Sequence, residues 1–399
     1  MKIFEGKRLY IKSWCNNPEQ GALDQAMNLS GLPFTYHHIA LMPDTHQGYG
    51  MPIGGVIATE GVVIPNAVGV DIGCGMCAVK TKLKIKDIKT HLIDIVLKIK
   101  EVVPVGFNKH KEGQNEILNV TEMGGNTICC REYENAAKSI GTLGGGNHFI
   151  EIQKDEEEYI WIMIHSGSRN LGKQVADNYN KIAINLNNKF YSVVEKNIEL
   201  AFLPIETREA KNYLNEMKYC VDFALANRYL IMKRVLKIFQ DIFYLNGGQI
   251  LGEYGFDSPK DNGIINIAHN YARWENHFGK NVIVHRKGAT SAKAGEIGII
   301  PGSQGTSSYI VEGLGNKESF ESCSHGAGRA MGRRQAVREL NFEDEVKRLN
   351  DKGILHNITD KKDLDEASGA YKDIDIVMEE QKDLVKILVK LEPLAVIKG

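Results

Sequence analysis

Five segments of the chain each carry an apolar, strand-like run into a side chain able to hold a metal or meet a phosphate. YIWIMI runs into the HSGSR stretch from His165 to Arg169, GIINIA runs into His269, and NVIV runs into His285, Arg286 and Lys287. EIGIIPG delivers Ser303, and VGV delivers Asp71 with Cys74 just beyond. Strand ends are where a rigid scaffold presents reactive groups on loops. A turn at a sheet edge explains any one of these; five together point to a shared site.

Asp71 and Cys74 lie in VGVDIGCGMC, where Gly73 and Gly75 free the backbone to bring carboxylate and thiol toward one point. Asp, Cys and neutral His are all ligands for first-row transition metals. The soft thiolate leans toward zinc, but spacing alone leaves the metal open. Cys74 and Cys77 resemble half of a zinc knuckle, yet no second such pair exists. Three glycines, Gly144, Gly145 and Gly146, precede Asn147 and His148, and such a loop lets backbone N–H groups approach an anion. Without a following Lys-Ser/Thr it is not a Walker loop, and taken by itself it reads better as a plain flexible turn. From His325 to Arg338 the chain reads HGAGRAMGRRQAVR, four arginines and no acid. If helical, this segment stacks Arg329 on Arg333 one turn apart. Arg forks match phosphate oxygens, and a His beside flexible glycines can meet a phosphoryl group.

Positioning such groups needs a sizeable scaffold, and 399 residues at 43% hydrophobic supply one without disulfide staples. Residues 1–80 read as short strands and turns, VGVDIGCG among them. Apolar spacing predicts one helix over 86–104 and a longer one after Pro204, ended by Gly247 and Gly248. The segment from about 170 to 250 thus reads as a helical insertion between two β-rich halves. Strands return after 255, and the last part of the chain mixes helix with a polar stretch. The sum is an α+β fold with a mostly antiparallel or mixed core, read as a single domain over 1–399. Seven cysteines, with no apolar leader, argue for a reducing cytoplasm over a disulfide framework. No apolar run reaches the ~18–20 residues of a membrane span. The net charge of −1 excludes binding of nucleic acid through overall basicity, so any such binding must be local.

Taken in order, MPDTHQGYGMPIGG, VGVDIGCG, LGGGNHFIE, IHSGSR, AHNYA, HRKGA, IPGSQG and HGAGR resemble the RtcB family of RNA-splicing ligases over essentially the full length. The resemblance implies a single large domain and a GTP- and Mn(II)-dependent ligase. Such an enzyme joins RNA bearing a 2′,3′-cyclic phosphate or 3′-phosphate to a 5′-hydroxyl end, in tRNA splicing or RNA repair. It implies that Asp71, Cys74, His148, His165 and His269 hold two Mn(II) ions, bridged by Cys74. It makes His325 the guanylylated nucleophile and Asp44 an acidic residue in the chemistry. Asn147, Glu151, Ser303, Ala327, Gly328, Tyr371 and Lys398 match positions that hold the nucleotide; Arg169, Arg329 and Arg333 match contacts to RNA phosphates. An activating partner such as archease also enters with the resemblance, and no membrane does.

Asn170 after Arg169, Gly332 before Arg333, and Gln304 depart from the family pattern, which puts the physiological RNA in question rather than the chemistry. A dinuclear metal-dependent phosphoesterase acting on nucleic acid is the competing enzyme reading, though such sites usually use carboxylate bridges. A non-catalytic RNA-binding module lacks the expected basic, aromatic-interleaved strands. His46 and His285 stay ambiguous; His37, His38, His91, His110, His277 and His356 receive no role.

Overall fold

A computed structural model of the chain describes all residues except 121–125, 191, 193, 245–249 and 252–262. Among the described residues two large sheets dominate. The first, with six strands, runs Lys2–Phe4, Ile11–Ser13, Thr35–His46, Ile53–Thr59, Lys280–Lys287 and Asn270–His277. Its one parallel pairing joins Ile11–Ser13 to Thr35–His46. The second, with seven strands, runs Ile265–Ala268, Gly75–Lys84, Tyr159–Ser166, Phe149–Asp155, Val385–Lys398, Ser308–Gly313 and Ile297–Ile300, antiparallel throughout. The fold is α+β, as expected.

Alternation along each strand explains the layering, since successive side chains point to opposite faces. In the first sheet Ile39, Leu41 and Ile57 pack with Ala26 and Leu29 of the helix Gln20–Ser30. Ala40, Met42, Val56, Val282 and Val284 face the other way and meet Ile300, Tyr309, Val311 and Val385 of the second sheet. In the second sheet Val79, Ile150, Ile162 and Ile164 pack against Ile231, Met232, Val235 and Phe239 of the helix Arg208–Phe243. Met76, Phe149, Trp161 and Met163 line the opposite face with Leu349 and Leu364. With both faces buried, YIWIMI has to be apolar at every position.

The helical insertion is present as Leu171–Lys189 and Arg208–Phe243, and it is built into the core rather than set apart from it. The helix stop assigned to Gly247 and Gly248 lies outside the described residues. Several local expectations are corrected. The helix Gln20–Ser30 stands within the segment read as strands and turns. The helix expected over 86–104 breaks into Ile85–Ile88 and Leu92–Val102. VGVDIGCG forms no strand: Gly69 at φ 91° and Gly73 at φ 79° turn the chain, and the strand begins only at Gly75. Arg329 lies before the helix, which spans Arg333–Glu339, so the two arginines do not stack along it. The chain end is the strand Val385–Lys398, seated between Phe149–Asp155 and Ser308–Gly313.

Candidate metal and nucleotide site

The order of strands in the second sheet assembles the site. Five neighbouring antiparallel strands end side by side along one edge. His269 follows Ile265–Ala268, Cys74 precedes Gly75–Lys84, His165 is the penultimate residue of Tyr159–Ser166, His148 precedes Phe149–Asp155, and Lys398 ends Val385–Lys398. Register fixes the row, with Gly75 opposite both Ala268 and Ser166, and Phe149 opposite both His165 and Lys398. At Gly75 a Cβ would stand 1.9 Å from the Ile267 carbonyl oxygen, so only glycine allows this approach. The same approach lets the His269 N–H donate to the Cys74 carbonyl at 2.8 Å.

Cys74 Sγ lies 3.4 Å from His148 Nε2 and 3.2 Å from His165 Nε2. The donor atoms of these three buried residues all fall within 4.8 Å of one another, a grouping able to hold a metal ion. Asp71 Oδ2 is 3.6 Å from His148 Nε2, and the His269 ring centroid is 5.2 Å from that of His165. His165 Nδ1 donates to the Asn147 carbonyl at 3.0 Å, which leaves its Nε2 lone pair aimed at the sulfur. His269 Nδ1 is buried with no hydrogen-bond partner. Burial, reinforced by Asp71, pushes the Cys74 thiol well above its ordinary value, so it keeps its proton until a cation offsets that cost. Burial likewise holds His148, His165 and His269 neutral, the form that ligates. The donor set and the orphaned imidazole nitrogen fit a resident metal.

Next to this row stands His325, its ring centroid 4.8 Å from that of His269. It follows the short strand Ser322–Ser324 and is held by Asp44 from the first sheet. Asp44 Oδ2 accepts the His325 Nδ1–H at 2.6 Å, the His325 backbone N–H at 3.0 Å and the Gly326 N–H at 3.3 Å. Gly328, at φ 72°, lies so close that a Cβ would sit 2.2 Å from the Asp44 carbonyl oxygen. Burial alone would raise the Asp44 carboxyl; the facing His325, with His46 and Lys372, holds it below the ordinary value. Lys372 Nζ fixes the strand by donating to the Pro43 and Thr45 carbonyls at 3.1 and 2.6 Å.

Both centres open onto one cleft of about 1110 Å³. Asn147, Glu151, Ser303, Ala327, Gly328, Tyr371 and Lys398 line it, as do Arg329 and Arg333. Burial raises the Glu151 carboxyl to about 8, although the Gln153 amide and Lys398 act the other way. Ser303 is anchored by Thr306, whose hydroxyl accepts its backbone N–H at 2.7 Å. Arg169 stands behind His148, with Nη1 3.3 Å from His148 Nδ1 and Nε donating to Thr142 Oγ1 at 3.2 Å. His46 also lines the cleft, whereas His285 turns into the core and accepts the Ile64 N–H at 3.0 Å.

One residue escaped sequence reasoning. Glu366, almost fully buried, draws together Arg329 Nη1 at 3.2 Å, Arg333 Nε at 2.9 Å and Lys398 Nζ at 3.8 Å, and also accepts the Tyr371 hydroxyl. It sits in the polar run DKKDLDEASG, where no spacing marks it out. Its weak signal was chemical: four predicted site residues are cationic or phenolic and need a buried acid among them.

Comparison with known proteins places the chain in a family. The tRNA-splicing ligase RtcB family model matches residues 25–138 and 122–399. The chain is 38% identical to the RNA-splicing ligase RtcB of Escherichia coli (strain K12), over 98% of this chain and 97% of that protein. It is 35% identical to the tRNA-splicing ligase RtcB of Nanoarchaeum equitans, covering 96% and 92% of the two chains. The corresponding ligase of Thermococcus kodakarensis is 31% identical, covering 94% and 91%. No helix among the described residues is long and apolar enough to cross a membrane. A match of this extent, carried through the segments that build the cleft, makes the chain a member of the RtcB family.

Proposed function

We propose that the protein is an RNA ligase that joins a 2′,3′-cyclic phosphate or 3′-phosphate end to a 5′-hydroxyl end, with GTP as cosubstrate and His325 as nucleophile. The observation that carries this reading is the His325–Asp44 pair, Nδ1 to Oδ2 at 2.6 Å, set beside the cysteine–histidine row in one cleft. With its Nδ1–H given to Asp44, His325 keeps a free lone pair on Nε2. That nitrogen attacks the α-phosphorus of GTP; an N–P bond forms, the P–O bond breaks, and pyrophosphate leaves. An oxygen of the RNA 3′-phosphate, freed by water where the end is cyclic, next displaces the histidine from phosphorus. This gives a 3′ end activated as RNA-3′-pp-G. The 5′-hydroxyl then attacks the 3′-phosphorus and GMP departs.

Asp71, Cys74, His148, His165 and His269 would hold Mn(II), with Cys74 shared between two ions. When bound, the metal supplies positive charge that offsets the phosphates. Asn147, Glu151, Ser303, Ala327, Gly328, Tyr371 and Lys398 hold the nucleotide in this reading, and Arg329, Arg333 and Arg169 neutralise RNA phosphates. We read 1–399 as one catalytic domain acting in the cytoplasm, in tRNA splicing or RNA repair, with archease as a candidate activator. The test is ligation: purified protein, Mn(II) and GTP with two RNAs ending in 3′-phosphate and 5′-hydroxyl. A joined product that requires GTP is expected. Removal of the terminal phosphate without joining would instead make the protein a phosphoesterase.

A further inference from the structure

Tyr49 is a large ring left open to solvent at the wall of the cleft. It is 72% exposed and lines the same cleft as His325 and the arginines. Among the described residues no other ring or cation is stacked on it. The backbone beneath it is held on every side. Gln25 clamps Gly48, donating to its carbonyl at 2.5 Å and accepting its N–H at 3.1 Å. The Tyr49 carbonyl accepts both the Met51 N–H at 2.7 Å and the buried Lys287 Nζ at 2.6 Å. Lys287 continues to the Asn66 carbonyl at 3.1 Å. Gly50, at φ 67°, is packed so that a Cβ would stand 2.6 Å from the Glu199 carbonyl oxygen. This anchoring reaches the nucleophile, because a Cβ on Gly288, next to Lys287, would lie 3.1 Å from His325 Cε1.

A tyrosine has two side-chain torsions, so on a fixed backbone it offers a rigid aromatic face at small entropic cost. An apolar face exposed in a cleft that also displays solvated arginines suits a ligand with flat rings and negative charge. Arg334 and Arg338 are exposed and line that cleft; among the described residues Arg334 has no ion-pair partner, and Arg338 meets only Glu339. Single-stranded nucleic acid has this combination, since each base presents a π-face and each linkage a charge.

We infer that Tyr49 is a stacking platform for an unpaired nucleobase of the RNA being joined, which rests on the RNA-ligase reading above. The test is the affinity of the full-length protein for a short fluorescein-labelled single-stranded RNA, read by fluorescence anisotropy. The same RNA is also used with an abasic site stepped along it. Tyr49→Ala should weaken binding of the intact RNA about five- to 150-fold, and Tyr49→Phe should stay within about twofold. At one abasic position the difference between wild type and Tyr49→Ala should vanish. Equal binding of intact RNA by wild type and Tyr49→Ala would overturn the platform. So would a Tyr49→Ala deficit that no abasic position removes, or one that falls on GTP use with RNA affinity kept. Failure of the wild type to join RNA ends would overturn the ligase reading instead, whatever Tyr49 does.

Discussion

Replacing Asp44 by Asn keeps the side-chain shape and removes the negative charge that faces His325. In the wild type, Asp44 is fully buried and one oxygen accepts three N–H groups, the ring Nδ1–H among them at 2.6 Å. In the proposed reaction the imidazole ring gains positive charge as Nε2 attacks phosphorus. Two unit charges about 4 Å apart interact by about 4 kcal/mol at an effective dielectric near 20. A transition state with half that charge loses about 2 kcal/mol in the variant, and a fully charged one about 4 kcal/mol. The expected slowing of guanylylation is therefore about 30- to 1000-fold. The assay is single-turnover transfer of label from α-labelled GTP to protein, followed by quench-flow at saturating GTP and Mn(II). A melting curve checks folding, because the Asn amide nitrogen would occupy the position of Oδ1, which is buried without a partner. A rate constant within about threefold of wild type, with an intact fold, would refute the electrostatic role of Asp44. So would a loss confined to the GTP concentration dependence.

Three further outcomes follow from the same structure. His38 and His285 are buried, and burial lowers each to about 4. Both stay neutral in the fold, so their contribution is complete above the ordinary value near 6.5 and is lost as pH falls toward 4; about 2 kcal/mol per ring is gone near pH 5. Urea unfolding across that range should show the loss, and His285→Gln should flatten it; an unchanged slope would contradict the assignment. Gly75→Ala forces a Cβ to within 1.9 Å of the Ile267 carbonyl, so about 1–3 kcal/mol of stability and much of the metal affinity should go together. Retained Mn(II) binding by calorimetry would separate the strand register from the site. Glu366→Gln leaves Arg329, Arg333 and Lys398 without their shared carboxylate and should cost roughly 3 kcal/mol, the lower end for a broken buried pair because Arg333 is half exposed. Denaturant titration with an unshifted midpoint would show that the cluster contributes little.

The site was legible in the sequence to the extent that its residues are chemically rare and locally marked. Cys74, His165 and His269 each stand at the end of an apolar run beside small residues, and all three meet in one row. Their adjacency was not legible, because it depends on the order Ile265–Ala268, Gly75–Lys84, Tyr159–Ser166, which pairs segments far apart in the chain. His285 shows the limit of the local signal. It follows an apolar run as His269 does, yet its strand continues to Lys287 and turns the ring into the core. The long final strand was hidden by its lysines and a proline, so only the family resemblance marked Lys398, and the pairing with Phe149 is what sets it beside the site. Glu366 was obscured for a related reason: its cationic partners come from the Arg329–Arg333 segment and the chain end, and only Tyr371 among its partners lies near it in sequence.

The proposed reaction depends above all on His325 carrying the nucleotide. Incubation of the full-length protein with Mn(II) and α-labelled GTP tests it directly. The expected label on the protein is acid-labile and alkali-stable, as for a phosphoramidate, maps to His325 and is absent from His325→Ala. Label that persists in His325→Ala, or a wild type that joins RNA ends without ever taking label, would contradict it.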